Sequence, residues 1–485
     1  MFTPEVIVFI LYLLCMLSIG VFFFIRDRKG GEKTFFLGDR KMGAWVGAFS
    51  AGASDMSAWV LMGLPTSIYA FGLGKIWIPV GLVLGYTASW LIEAPRLRRF
   101  SIVSGDAITV PQYLSNRFLT KTKSLQVICA AVFLLAYTVY AASSIKACGT
   151  LFHKVIGLDP MIAMCLAVFI IVGYTFLGGF SAVCWTDFFQ GMLILGAMLM
   201  APVFAFFVLD FSGENINAAT ENFWKPTADW HEIVSGLAWG LGYFGMPHII
   251  IRFMSISSQK TLKRSAWIGI AWTILILVFA ALIGIMGRLD FGFETDIAEN
   301  ELVFVQMVRR IFPAVISGVL LSAVLAASMS TADSQLLSAS SSLASDVYKP
   351  IVRKNRASNR ELMWVGRFVV LAVALVALVI AINPKSGSIM GLVENAWGLF
   401  GAAFGPAILL SLFWRNFNFA GATAGIVVGA VIDICWLIFL KDTGIYELLP
   451  GFVAGTIAAF AAALIAGDPS REVIKQYDEA VAYDD

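Results

Sequence analysis

Charge is scarce in this chain. Lys, Arg, Asp and Glu make up 14% of its 485 residues and hydrophobic residues 59%, whereas soluble domains carry about 25% charged residues. That balance excludes a soluble globular class and gives an integral membrane protein. A formal net charge of +2 says nothing about partners, and no nucleic-acid partner is expected. Histidine is scarcer still: His153 and His231 fall in loops and His248 beside Pro247, so the three do not cluster. No metal, nucleophile–base or phosphate motif appears, and an enzyme is not expected. The six cysteines (Cys15, Cys129, Cys148, Cys165, Cys184, Cys435) lie in apolar stretches without metal-type or disulfide-type spacing, and read as small packing residues. The basic n-region of a cleaved signal peptide is also missing, so the first apolar run reads as a retained helix. No kinase or sensor domain follows the last span, so a receptor role would need a signalling partner.

What the chain does have is apolar runs separated by charged or turn-rich breaks. They predict an all-α polytopic membrane protein with about thirteen transmembrane helices. The spans are near 5–25, 43–70, 73–97, 124–152, 160–180, 185–210, 232–255, 264–288, 310–345, 362–382, 389–413, 418–439 and 446–467. Basic clusters follow the first span (Arg26, Arg28, Lys29, Lys33, Arg40, Lys41), the third (Arg96, Arg98, Arg99, Arg117, Lys121, Lys123), the seventh (Lys260, Lys263, Arg264) and the ninth (Lys349, Arg353, Lys354, Arg356, Arg360). All fall on one side if thirteen spans alternate. The loop at 289–301 on the other side is acidic. The positive-inside rule then puts the N-terminus outside and the acidic tail Glu479–Asp485 in the cytoplasm.

Asp55 sits near the middle of the second span, within Ser50-Ala-Gly-Ala-Ser-Asp-Met-Ser-Ala-Trp59. A carboxylate there costs about 2.5–3.5 kcal/mol on insertion scales. Such residues usually face a bundle interior or a watery cavity and mark an ion or substrate route; the bland alternative is a buried Asp that caps a broken helix. Helix breakers concentrate in the same span (Gly47, Gly52, Gly63, Pro65) and in the seventh, Trp239-Gly-Leu-Gly-Tyr-Phe-Gly-Met-Pro247. Interrupted helices five spans apart point to an inverted-repeat carrier with a midplane site. Five-plus-five repeats of the leucine-transporter type are expected at 43–211 and 231–413. An extra N-terminal helix and loop would occupy 1–42, two extra helices 414–467 and a cytoplasmic tail 468–485.

The ninth span adds Ala326-Ala-Ser-Met-Ser-Thr-Ala-Asp-Ser334. Ala327, Ser330 and Thr331 share one helical face. Their hydroxyls can bond back to the preceding turn. They can equally offer neutral oxygens to a cation, joined by carbonyls of the second span if it unwinds near Ala53–Met56.

These motifs resemble the sodium:solute symporter family. The resemblance covers nearly the whole chain. It is carried by Ser50-Ala-Gly-Ala-Ser-Asp-Met-Ser57 with Trp59-Val-Leu-Met-Gly-Leu-Pro65, and by Tyr174-Thr-Phe-Leu-Gly-Gly-Phe180 with Trp185-Thr-Asp187. Trp239-Gly-Leu-Gly-Tyr-Phe-Gly245 with Pro247-His-Ile-Ile-Ile-Arg-Phe-Met254, and Phe400-Gly-Ala-Ala-Phe-Gly-Pro406, complete it. The second- and seventh-span motifs match the proline-type branch. The resemblance implies a multi-pass protein of the bacterial cytoplasmic membrane, importing L-proline with Na+ as coupling ion and no further cofactor. It implies a sodium site from the carbonyls of Ala53, Met56 and Ala327 and the hydroxyls of Ser330 and Thr331. Asp55, Ser57 and Asp187 are implied in sodium coupling, Asp187 as an ion relay or else an interfacial acid.

A small zwitterion suits helix ends and aromatic faces. Trp59, Tyr140, Trp239 and Tyr243 are expected around it, with Pro247 holding the seventh span open. Arg252 is expected at the cytoplasmic end, snorkelling or gating, and Lys146 snorkelling outward. Ala58, Met246, Lys146 and Glu394 depart from the proline-type pattern. Rival readings are proton coupling through Asp55, another small amino acid or solute as cargo, and a membrane receptor.

Overall fold

The structure is a computed structural model that describes residues 3–27, 32–120, 122–177, 179–209, 223–226 and 229–483. Gly178 of the glycine pair and Arg28, Lys29 and Lys121 of the basic clusters lie outside these. In chain order the main helices are α1 (Pro4–Asp27), α2 (Ala44–Asp55), α3 (Leu64–Phe71), α4 (Leu73–Val103), α5 (Ser124–Ile156), α6 (Pro160–Leu177), α7 (Phe180–Val208) and α8 (Trp230–Ala238). There follow α9 (Pro247–Ser255), α10 (Gln259–Phe291), α11 (Ala314–Ser341), α12 (Asn359–Ile382), α13 (Ile389–Phe413), α14 (Phe419–Phe439), α15 (Leu448–Ala466) and α16 (Arg471–Ala482).

Ten helices among the described residues are long and apolar enough to cross a membrane. Three sequence spans take another form. Span 43–70 is α2 and α3 around a break; 232–255 is α8 and α9 around a bend of 45°; and the apolar stretch Pro160–Gly173 of α6 is shorter than the rest.

Local chemistry explains both interruptions. At the end of α2 the Met56 N–H closes the last helical bond onto the Gly52 carbonyl (2.8 Å), and the Ser57 N–H turns onto the Asp55 carbonyl only two residues back (3.0 Å). Met56, at φ −83° and ψ 75°, is the centre of that tight turn. Pro247 stands in the first turn of α9, where a missing N–H costs nothing, whereas Pro65 follows the π-helical turn Trp59–Gly63 that leads into α3. Before Pro247 the chain tightens into a 3₁₀ turn, Trp239–Phe244. Glycine lets that turn press on its neighbours: a Cβ on Gly240 would lie 2.3 Å from the Gly81 carbonyl oxygen, and one on Gly242 1.9 Å from Trp397 Nε1.

The helices around these breaks are the most enclosed. Their apolar windows are 78% buried in the span containing α11 and 83% in α13, against 28% in α1 and in α15. Helix α1 and the α14–α15 pair therefore flank a core built on α2, α3, α8, α9, α11 and α13. On the basic-loop face, Arg40 donates to Asp106 (2.8 Å) and to the Ala107 carbonyl (2.7 Å), and Lys33 also pairs with Asp106. Burial pushes the Asp106 carboxyl up, but its two cationic partners outweigh that and hold it below the usual range. Helix α16 forms where the sequence indicated only an acidic tail. Its Tyr477 ring meets Phe100 edge-on at 5.1 Å, and the Arg117 guanidinium lies 5.0 Å from the same ring.

Candidate ion and substrate site

The break after α2 faces α11. Ser330 Oγ donates to the Ala53 carbonyl (2.8 Å) and lies 3.1 Å from the Ala327 carbonyl, while Thr331 Oγ1 lies 3.3 Å from the same Ala53 oxygen. Four of the five expected ligands thus sit within hydrogen-bond reach of one another. The fifth, Met56, is fully buried at the turn itself. All are neutral oxygens. Such a donor set suits a monovalent hard cation.

Asp55 makes its hydrogen bonds outside this cage. Its Oδ2 accepts from the Tyr243 hydroxyl (2.7 Å), while its backbone carbonyl accepts from Trp59 Nε1 (3.2 Å) and the Tyr140 hydroxyl (3.3 Å). One residue therefore ties the α2–α3 break to the 3₁₀ turn between α8 and α9. Asp55 Oδ1 and Ser57 Oγ are buried with no hydrogen-bond partner among the described residues, which leaves two polar atoms for a ligand.

The expected aromatics gather here. Trp59 and Trp239 lie 6.3 Å apart, and both, with Tyr140, Tyr243 and Pro247, are buried. Sequence reasoning missed three neighbours. Trp397 donates to the Trp239 carbonyl (2.9 Å) and meets Tyr243 edge-on at 5.0 Å; Tyr86 meets Tyr243 at 5.1 Å; Tyr446 stacks on Trp239 at 5.1 Å. Aromatics inside apolar runs carry no signal that separates a pocket wall from ordinary core.

Arg252 corrects the expectation of a snorkelling side chain. It is 1% exposed. It pairs with Asp187 (3.1 Å), donates to Ser334 Oγ (2.5 Å) and Ser50 Oγ (3.2 Å), and also to the His248 carbonyl. Asp187 is equally buried, so its reading as an interfacial acid is also overturned. Its Oδ2 accepts from Ser50 (2.7 Å) and Ser54 (3.1 Å), and Ser54 meets Ser334 at 3.0 Å. This network ties α2, α7, α9 and α11 together one turn from the cage. The signal for it was available: a buried cation in an apolar span deserves the same suspicion as Asp55. Lys146 donates to the Gly387 carbonyl.

Neutral oxygens at a helix break, facing a hydroxyl-bearing helix inside a bundle of membrane-length helices, belong to a polytopic membrane transporter. The chain is a member of the sodium:solute symporter family, whose model matches residues 35–429. It is 42% identical to the High-affinity proline transporter PutP of Bacillus subtilis over 471 residues, covering 96% of this chain and 98% of that one. It is 40% identical to a Sodium/proline symporter of Staphylococcus aureus over 479 residues, covering 95% and 93%. The fold matches a Na+-coupled sialic acid symporter solved substrate-bound and outward-open, with a TM-score of 0.79 at 20% identity over 97% of this chain and 99% of that one. It also matches the nucleobase-cation-symport-1 transporter Mhp1 in a closed conformation, with a TM-score of 0.56 at 14% identity over 92% and 98%.

Proposed function

We propose that this protein imports L-proline together with Na+ by alternating access. The observation that carries the reading is the convergence of Ser330, Thr331 and Ala327 of α11 on the Ala53 carbonyl at the α2 break. Sodium binds there to the carbonyls of Ala53, Met56 and Ala327 and the two hydroxyls. Binding fixes the break against α11 and so sets Asp55, Ser57 and Trp59, which follow within six residues, against Tyr140, Trp239 and Tyr243. Asp55 acts in coupling: its carboxylate holds the 3₁₀ turn through Tyr243 and its carbonyl holds Trp59 and Tyr140. Asp187, joined to Ser50 and Ser54 of the same helix, acts on the path between the cage and the basic-loop face. Pro247 keeps the α8–α9 interruption open.

Thirteen crossings, with the N-terminus outside and α16 in the cytoplasm, put every basic cluster inside. The repeats then run over 43–211 and 231–413, with 1–42 and 414–467 outside the symmetric core. One elementary charge crossing about 100 mV supplies about 2.3 kcal/mol, or about fifty-fold accumulation before any sodium gradient acts.

Uptake of labelled proline into proteoliposomes tests this. The expected result is uptake that needs sodium and rises with inside-negative voltage. A flat response to both, or proton-driven uptake indifferent to sodium, contradicts it.

A further inference from the structure

Several cations on the basic-loop face are used inside the fold. Lys33 and Arg40 share Asp106, Arg98 donates to the Ile256 and Ser257 carbonyls, and Lys349 pairs with Glu32. Lys41 is different. Its side chain is 79% exposed, and its ion pair with Asp39 is 4.0 Å long. Asp39 also accepts from the Thr34 hydroxyl at 3.1 Å. Lys41 borders a groove of about 410 Å³ between the end of α1, the segment before α2 and the start of α7.

Arg26, in the last turn of α1, lines the same groove. Its guanidinium lies 4.2 Å from the centre of the Phe23 ring, and Phe23 stacks on Trp185 at 6.4 Å. Trp185 lines the groove and is 37% exposed, while Phe22 and Trp45, on the adjoining turns of α1 and α2, are each 61% exposed. The groove therefore opens at the edge of the bundle, where aromatic rings mark the membrane surface. Inside it, Ser181 is only 5% exposed and makes no hydrogen bond among the described residues. Gly43, the N-cap of α2, offers no side-chain cap, and a Cβ there would meet nothing within 4 Å. The first N–H groups of α2, which have no partner within the helix, start at this opening.

We propose that this groove binds one anionic phospholipid, its phosphate held by Arg26, Lys41 and the Ser181 hydroxyl at the start of α2, and its acyl chains lying over Trp185 and Phe22. Basic pockets between membrane helices hold acidic headgroups. A guanidinium fork matches phosphate oxygens, and a helix N-terminus adds N–H donors of the same preference. Asp39 is the acid among the described lining residues, so two cations face one carboxylate that Thr34 and Lys41 already occupy. Free phosphate shares the headgroup's chemistry. The exposed rings beside the cations favour the lipid, because only the lipid brings chains to cover them. The inference depends on the membrane fold and not on the solute carried.

Native mass spectrometry of the full chain in detergent, titrated with phosphatidylglycerol or phosphatidylcholine, tests this. Wild type is expected to bind one phosphatidylglycerol about ten-fold or more tighter than phosphatidylcholine. Arg26→Gln and Lys41→Gln are each expected to weaken phosphatidylglycerol about five-fold. Gly43→Leu fills the groove without touching its charge and is expected to weaken it at least as much. Gly43 has φ −77°, which any residue adopts, so this variant introduces no backbone strain. Lys475→Gln removes an exposed cation of α16 and is expected to bind as wild type does. Phosphatidylcholine affinity unchanged across the set shows that the variants are folded. Equal affinity of wild type for the two lipids overturns the site, as does phosphatidylglycerol binding unchanged in Gly43→Leu and both groove Gln variants. An equal loss in Lys475→Gln assigns the effect to diffuse charge and also overturns it. Displacement of the lipid by millimolar inorganic phosphate overturns the lipid in favour of a soluble anion.

Discussion

Two polar assemblies hang on α2 within a single turn of each other, and they are built on opposite principles. Around Ala53 every donor is neutral: two hydroxyls and backbone carbonyls. Around Ser50 and Ser54 the centre is a full ion pair, Arg252 with Asp187, ringed by serines. A cation that must bind and leave in every cycle is served by dipoles that share its charge and can relax when it goes. A fixed pair of opposite charges instead holds four helices in register, because neither member tolerates burial without the other. On the proposed reading, the difference puts exchange at the first assembly and cohesion at the second.

The comparison breaks most visibly at Arg252. Arg252→Met leaves Asp187 buried without its cation, which is expected to cost about 3–5 kcal/mol. Thermal unfolding in detergent should show a lowered midpoint, largely recovered in the double variant Arg252→Met with Asp187→Leu. A double variant no more stable than the single one would mean that the pair is not the source of cohesion. Next in size is Tyr243→Phe, which removes the donor to Asp55 Oδ2. It is expected to cost about 1–3 kcal/mol, read as a lowered unfolding midpoint together with higher half-saturation for proline in uptake assays. Smallest is the loop clamp at Asp106, where both partners of the Lys33 contact are 40% or more exposed, so screening leaves little. Because the Asp106 carboxyl is held below its ordinary range, its contribution is present above that range and fades as pH falls through the lowered value. The melting difference between wild type and Asp106→Asn should therefore shrink on acidification.

Much of this site was legible in the sequence, for identifiable reasons. A carboxylate or a Pro–Gly break inside an apolar run carries its cost wherever it sits, so Asp55, the two interrupted helices and the Ser330–Thr331 face announce themselves. Depth is different. Arg252 is the sixth of the nine residues Pro247–Ser255; the sequence shows a cation in an apolar span, but only the docking of α2, α7 and α11 takes its guanidinium out of reach of water. Trp397, Tyr86 and Tyr446 were hidden for a related reason, since an aromatic in an apolar helix reads alike whether it lines a pocket or fills a core. Helix α16 was hidden because a charged tail shows little until Phe100 and Arg117 give it a surface to cover.

Equilibrium binding of radioactive sodium to the purified protein separates cage from carboxylate most directly. For Ser330→Ala the expected result is sodium affinity lowered about ten-fold or more. For Asp55→Asn, sodium binding is expected to persist while coupled proline uptake falls. Wild-type affinity in Ser330→Ala, with binding abolished in Asp55→Asn, would contradict the assignment of the ion to neutral oxygens around Ala53.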